Sequence, residues 1–242
     1  MMIREPSRDF EDEEARIRAS YKRREKADVH ARYSDDNPAH ILMTRERNEA
    51  VLHALQRIGL PEFPGMHVLE LGCGEGTWLL EFIRWGVRPE NLIGIELIEA
   101  RAREALYRTG GSVRILCRNA ARTGLPDAAF DIVLQSTMFT SIADSALKAE
   151  IAREMVRVLA PNGTIVWYDF RIDNPFNRDV HGISRAEIFS LFPDSTIELI
   201  PITLAPPITR ALAPYSPAVC ALLSRVPFLC THYLAFIRPP SS

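Results

Sequence analysis

A short apolar strand running straight into three closely spaced glycines constrains this chain most. Residues 67–71 (His67, Val68, Leu69, Glu70, Leu71) read as a buried strand. Gly72, Gly74 and Gly76 follow, ahead of a helix predicted over 78–85. Glycines in such a turn let a ligand lie against bare backbone at the helix N-terminus. The downstream pattern repeats the unit. Strands are predicted over 92–96, 113–116, 130–135 and 164–168, with helices over 99–108 and 146–159 and a turn at 161–163. Strands alternating with helices at this spacing imply a parallel sheet covered on both faces.

Two further strands, 197–203 and 233–237, bracket an apolar, proline-broken segment at about 205–230. The expected class is therefore α/β, a Rossmann-like, parallel-dominated sheet with helices on both faces and an antiparallel last strand. Residues 1–60 read as an N-terminal helical cap. A charged helix there carries a thin stripe through Arg16, Ile17, Tyr21, Arg24 and Lys26. Turn formers at 32–38 interrupt it, and a second helix over 41–58 stops at Gly59. Residues 61–242 form the main domain, with 205–230 as an apolar insertion expected to be helical and packed on the sheet edge.

Composition excludes several classes. With 242 residues, 47% of them hydrophobic, the chain can bury one good-sized core. A formal net charge of -2 lacks the basic excess of a nucleic-acid binder. No apolar run approaches the roughly 18 residues of a membrane helix, and the charged first residues are unlike a signal peptide. Cys73, Cys117, Cys220 and Cys230 form neither a CxxC pair nor a zinc spacing. Reduced thiols, a cytoplasmic location and no metal are expected.

The ligand follows from the acids around the glycines. A dinucleotide fingerprint places its third glycine three positions after the second, whereas Gly76 follows Gly74 by two. Glu70 suits an ammonium group and would repel a pyrophosphate. Glu96 closes the next strand, where a carboxylate can accept both hydroxyls of a ribose. S-adenosylmethionine has a ribose and a cationic amino-acid end.

These residues resemble the class I S-adenosylmethionine-dependent methyltransferases. Glu70, Leu71, Gly72, Cys73, Gly74, Glu75 and Gly76 match their first motif, and Gly94, Ile95, Glu96 and Leu97 look like their second. The stretches 118–121, 125–127 and 130–133 are similar to the third and fourth. The run 157–163 resembles the segment before their fifth strand. Asn119 stands where the family often has aspartate. The resemblance implies roles. Gly72, Cys73 and Gly74 offer backbone to the methionine end, and Glu70 holds its amino group. Glu96 takes the ribose, Leu97 packs on adenine, Asn119 and Ala120 edge it, and Gln135 and Ser136 line the methyl-donor pocket. Cys73 also reads as a small filler, and Asn119 as a turn residue.

In such sheets ligands bind beyond the carboxyl ends of the strands. The loop after the fifth strand carries Asp169, Arg171, Asn174, Arg178 and His181, suited to a hydroxylated or anionic acceptor. His181 is the first candidate base and Asp169 the second. Tyr33, in the break of the cap, is a candidate second wall. The expected activity is methyl transfer, chiefly O-methylation, to a small-molecule or glycan hydroxyl. A weaker resemblance to bacterial surface-polysaccharide methyltransferases points to polysaccharide biosynthesis. A lipophilic quinone or isoprenoid acceptor and a non-catalytic cofactor-binding partner protein are the alternatives. A lipid-linked acceptor or peripheral membrane contact is the minor reading of the apolar segment, which otherwise packs internally. The oligomeric state is left open.

Overall fold

The computed structural model describes residues 8–25, 36–58, 62–173 and 180–240. Two helices come first, α1 (Arg8–Glu25) and α2 (Pro38–Arg57). The sheet is built from β1 (Val68–Leu71), β2 (Leu92–Glu96), β3 (Arg114–Cys117), β4 (Phe130–Ser136), β5 (Leu159–Phe170), β6 (Thr196–Leu204) and β7 (Cys230–Arg238). Between them run α3 (Thr77–Arg84), α4 (Glu99–Arg108), α5 (Ser145–Val158), α6 (Arg185–Leu191), α7 (Pro206–Leu212) and α8 (Pro217–Leu223). The strand order is β3-β2-β1-β4-β5-β7-β6. The first five strands are parallel, and β7 is antiparallel to both β5 and β6. The α/β class, the helices on both faces and the antiparallel last strand are as the sequence implied.

Local chemistry sets the element ends. Asn37 caps α2 by accepting from the Ala39 amide at 3.0 Å, with Pro38 at the first helical position. Asp144 caps α5 through the Leu147 amide, and Ser184 caps α6 through Glu187. The turn expected at 161–163 lies within β5. There the β4–β5 register jumps from Phe130↔Leu159 to Ile132↔Thr164, with Asn162 in the left-handed region. Asparagine tolerates that conformation, so the strand bulges and continues.

Strand alternation divides the core into two layers. On one face Val68, Ile132, Leu134 and Val166 pack against Trp78, Leu79 and Phe82 of α3 and Val51, Ala54 and Leu55 of α2. The cap's second helix thus shares the main core. On the other face Leu69, Val133, Ile165 and Trp167 meet Ile151 and Met155 of α5 and Ile188 of α6. The apolar segment is helical and packs on the edge strand β6, as expected, and also on α2. Leu204, Ala213 and Cys220 close against Ala39, Leu42 and Met43. Among the described residues no helix is long and apolar enough to cross a membrane.

Trp167 is fully buried, its ring centroid 4.3 Å from that of Phe139 and 5.9 Å from that of Phe192. It joins the loop after β4 to the end of α6. Trp167→Ala is expected to cost about 3–5 kcal/mol by chemical denaturation, because the surrounding aromatic rings cannot collapse fully into the space. A loss below about 1 kcal/mol would mean that the layer repacks.

Candidate functional site

Parallel pairing aligns the carboxyl ends of β1, β2 and β4, which brings Glu70, Glu96 and Ser136 to one edge. Glu70 is paired in register with Gly94 on one side and Leu134 on the other. Its side chain is 3% exposed, and its Oε2 has no hydrogen-bond partner. Burial raises its pKa well above the usual carboxylate range, Arg47 opposes that rise, and Glu96 adds to it. An unpartnered buried carboxylate oxygen is costly unless a cationic donor meets it.

The glycine turn wraps over this group. Gly72 and Gly74 both hold positive φ. A Cβ on Gly74 would stand 2.5 Å from the Arg101 guanidinium, and one on Gly72 2.9 Å from Met138 Sδ. Bare backbone is therefore required at both positions. Glu96 is buried, with Oε2 accepting from the Gly74 amide at 2.8 Å and Oε1 from the Ile98 amide at 2.9 Å. Each oxygen keeps a further lone pair for a hydroxyl donor. Cys73 is buried, and its Sγ occupies the space beside Gly94, where an added Cβ would lie 2.7 Å away. Burial pushes its thiol pKa upward, so it is a filler and an unreactive one.

Beyond the ends of β2 and β3, Leu97 is half-buried against the core and Ala120 is buried. Asn119 serves as a turn residue, its Oδ1 accepting from the Ala121 amide at 2.7 Å. Its Nδ2 donates to Glu14 of α1 at 2.6 Å. Further ties fix α1 over this edge. Arg16 donates to the Ser141 carbonyl, the Ala143 amide donates to Glu13, and Arg101 lies 4.9 Å from the Tyr21 ring centroid. α1 thus lies over the loops that follow β3 and β4. Tyr33, the candidate second wall, lies outside the described residues, as do Asn174 and Arg178.

Several candidate residues also hold neighbouring loops. Gln135 is fully buried, donating to the Tyr168 carbonyl and accepting from the Met138 amide. Both ends of its amide brace the turn after β4; Ser136 beside it is half-buried. Asp169 is 1% exposed. Its Oδ1 accepts from the Thr140 hydroxyl at 2.7 Å and from the Phe170 amide, and its Oδ2 accepts from the Thr140 amide. It ties the loop after β4 to the end of β5. Arg171 donates to the Pro227 carbonyl and stacks over Tyr233, so it fastens the 205–230 segment. His181 is exposed, and its amide donates to the Thr140 carbonyl. Asp169 and His181 thus meet at Thr140 through different groups, not as a side-chain pair.

One constellation escaped the sequence reading. His232 of β7 is buried and stacked parallel to Tyr168 at 4.7 Å, with Phe170 at 3.9 Å. Burial, aided by Arg47, pushes its pKa down to about 3, so the ring is neutral at ordinary pH. The Tyr168 hydroxyl, pushed up to about 12 by burial, is 2.9 Å from Thr203 Oγ1. Arg47 of α2 lies over Trp78 at 4.3 Å and faces Tyr168 at 5.4 Å. It links Glu70 to this aromatic group electrostatically. Thr137 and Thr203 hold positive φ, a strained state for a β-branched residue, at this same edge. Antiparallel pairing places His232 opposite Phe170, a juxtaposition with no local sequence signal. A separate groove of about 370 Å³ between α2 and α3, lined partly by Arg45, Glu81 and Trp85, lies outside the cluster. Among the described residues no group of three or more His, Cys, Asp or Glu can hold a metal.

Comparison with known proteins agrees with this geometry. Residues 68–163 match the family described as a methyltransferase domain. An uncharacterized protein of Haemophilus influenzae is 33% identical over 105 residues, 42% of this chain and 41% of that protein. The nocamycin O-methyltransferase of Saccharothrix syringae is 32% identical over 106 residues, 42% of this chain and 37% of that protein. The matched region thus spans about two-fifths of these curated relatives. The N-methyltransferase NodS of Bradyrhizobium japonicum, solved with S-adenosyl-L-homocysteine, has a TM-score of 0.67 at 19% identity, covering 93% of this chain and 100% of that one. An S-adenosylmethionine-dependent methyltransferase of Mesorhizobium loti has a TM-score of 0.56 at 18% identity, covering 78% and 97%. Residues 68–163 are thus similar to a methyltransferase domain, and the chain has the fold of these S-adenosylmethionine-dependent methyltransferases.

Burial lifts the Asp169 carboxyl from 3.8 to about 7, against the opposing hydrogen bonds of Thr140 and Phe170. The folded state then holds a proton that the unfolded chain releases at lower pH. Its contribution to stability therefore falls as pH rises from the ordinary carboxylate range to about 7. Asp169→Asn is expected to flatten that part of a melting-temperature curve against pH. An unchanged slope would assign the pH dependence to other groups.

Proposed function

We propose that this chain binds S-adenosylmethionine and transfers its methyl group to a hydroxyl of a small molecule or glycan. The observation that carries the reading is the unpartnered, buried Oε2 of Glu70 beneath the glycine turn. It calls for a cationic donor, which an amino-acid ammonium supplies and a pyrophosphate does not. Arg47 and Arg101 flank Glu70 electrostatically and suit the matching carboxylate. Glu96 suits the ribose, and Leu97, Asn119 and Ala120 suit the adenine.

When bound, the cofactor supplies a methyl group on a sulfonium centre. Transfer to a hydroxyl would need the acceptor held in line with that methyl group and its proton taken by a base of this chain. Such a displacement depends first on positioning. His181, exposed on the loop after β5, is the proposed base. Asn174 and Arg178 belong to the same loop and remain candidates for the acceptor, as does Tyr33. Oxygen as the methylated atom draws support from the nocamycin O-methyltransferase likeness. A lipophilic quinone or isoprenoid is the second reading, favoured by the aromatic edge of Tyr168, Phe170 and His232.

Titration calorimetry with S-adenosylmethionine and with NAD tests the cofactor; binding of NAD alone would overturn the reading. Glu70→Gln is expected to weaken S-adenosylmethionine binding by roughly 10- to 100-fold, the worth of a charge-assisted hydrogen bond. The same change should raise the melting temperature at neutral pH, because it removes a buried, unpartnered carboxylate. Affinity and stability falling together would mean that Glu70 is a structural group. His181→Ala is expected to lower turnover while cofactor affinity stays within about threefold. Wild-type turnover from pH 6 to 9 would release His181 from the role of base.

A further inference from the structure

We infer that the segment between β6 and β7 seats the protein on an anionic phospholipid surface, with the acceptor edge of the sheet facing the bilayer. Because β6 runs parallel to β1 through β5, its carboxyl end at Leu204 lies at the same edge as the ends of β4 and β5. The chain leaves the sheet there and returns at Cys230. The Ala205 amide donates to the Leu229 carbonyl and closes the base of the excursion. Arg171 at the end of β5 donates to the Pro227 carbonyl, and Cys230 Sγ donates to the Ser224 carbonyl. Cys220 and Ala213 anchor the inner side against α2.

The outer side is apolar and unpartnered. Tyr215 is 87% exposed, Leu222 64% and Phe228 82%, with Val219 beside Leu222 one helical turn away. These large side chains fall within fourteen residues, on the side of the excursion turned away from the inward-packed Ile208, Leu212, Leu223 and Leu229. Charge identifies what covers this face. After Glu198 the chain has no acidic residue, and its full charges are Arg210, Arg225 and Arg238. Arg210 and Arg225 are exposed on the excursion itself. Glu46 of α2 meets the inner side of the excursion at Ser224, but the excursion itself supplies no carboxylate; apolar and aromatic side chains flanked by its arginines fit an interface where acyl chains lie beneath anionic head groups. The exposed pair Leu106 and Tyr107 on α4 differs, because Glu99 and Glu104 are on the same helix.

The purified full chain should co-sediment with phosphatidylglycerol-rich vesicles and not with pure phosphatidylcholine vesicles. Tyr215→Ser/Leu222→Ser/Phe228→Ser together should weaken that partition at least about tenfold, since each removes an inserted apolar group. Arg210→Gln/Arg225→Gln should reduce the preference for the anionic lipid. Tyr107→Ser should leave binding unchanged, and melting temperatures should stay near wild type because all these side chains are exposed. Vesicle binding needs no methyl transfer, so its outcome is separable from that of the cofactor titration. The inference is overturned if the wild-type chain ignores both vesicles, or if the triple variant binds as well as wild type. A concentration-dependent dimer that the triple variant breaks, without vesicle binding, would overturn it in favour of a second copy on this face.

Discussion

Glu96 accepts hydrogen bonds from the amides of Gly74 and Ile98, so one carboxylate ties the glycine turn after β1 to the turn after β2. Much of the site depends on this clamp. It holds Gly72 and Gly74 at positive φ, where Met138 and Arg101 close over bare backbone. It also leaves Glu70 under the turn with a carboxylate oxygen that no side chain satisfies. A protein interior rarely keeps such a group without a use for it. Two acids on adjacent parallel strands thus have different conditions: Glu96 accepts from amides with both oxygens, whereas Glu70 keeps one oxygen without a hydrogen-bond partner.

The carboxyl edge of β5 is built on a contrast of polarity. Tyr168, Phe170 and His232 form an aromatic wall, with burial keeping the histidine and the tyrosine neutral. Arg47 enters from α2 and stands between that wall and Glu70. The cap is therefore part of the site, not an appendage. Its first helix ties to Asn119 and Ser141, and its second supplies a cation and shares the main core.

Asp169 illustrates how much of a residue's setting is hidden from the sequence. A carboxylate at the end of β5 reads naturally as a base, and in the fold Thr140 and Phe170 donate to both of its oxygens. Gln135 and Arg171 follow the same logic, each with its polar groups committed to bracing a turn. Polar residues at the carboxyl edge have two uses, to hold ligands and to hold the loops that hold ligands. Sequence spacing cannot separate the two, since both require a polar group at the same address.

What the sequence determined by itself was everything carried by short-range periodicity: the strand–glycine–helix unit, the alternation of elements, Glu70 and Glu96 at strand ends, and the turn role open to Asn119. Period two and period 3.6 are local properties of the chain, and a parallel sheet follows from their alternation. Tertiary structure decided what rests on pairing between distant residues. His232 meets Tyr168 and Phe170 only because β7 inserts antiparallel between β5 and β6. Arg47 reaches Trp78 only because α2 packs on the sheet face. The 205–230 segment lies on α2 because Leu204, Ala213 and Cys220 meet apolar groups there. Such contacts are set by sheet order and layer packing, in which the partners of a side chain lie far away along the chain and leave no local pattern in it.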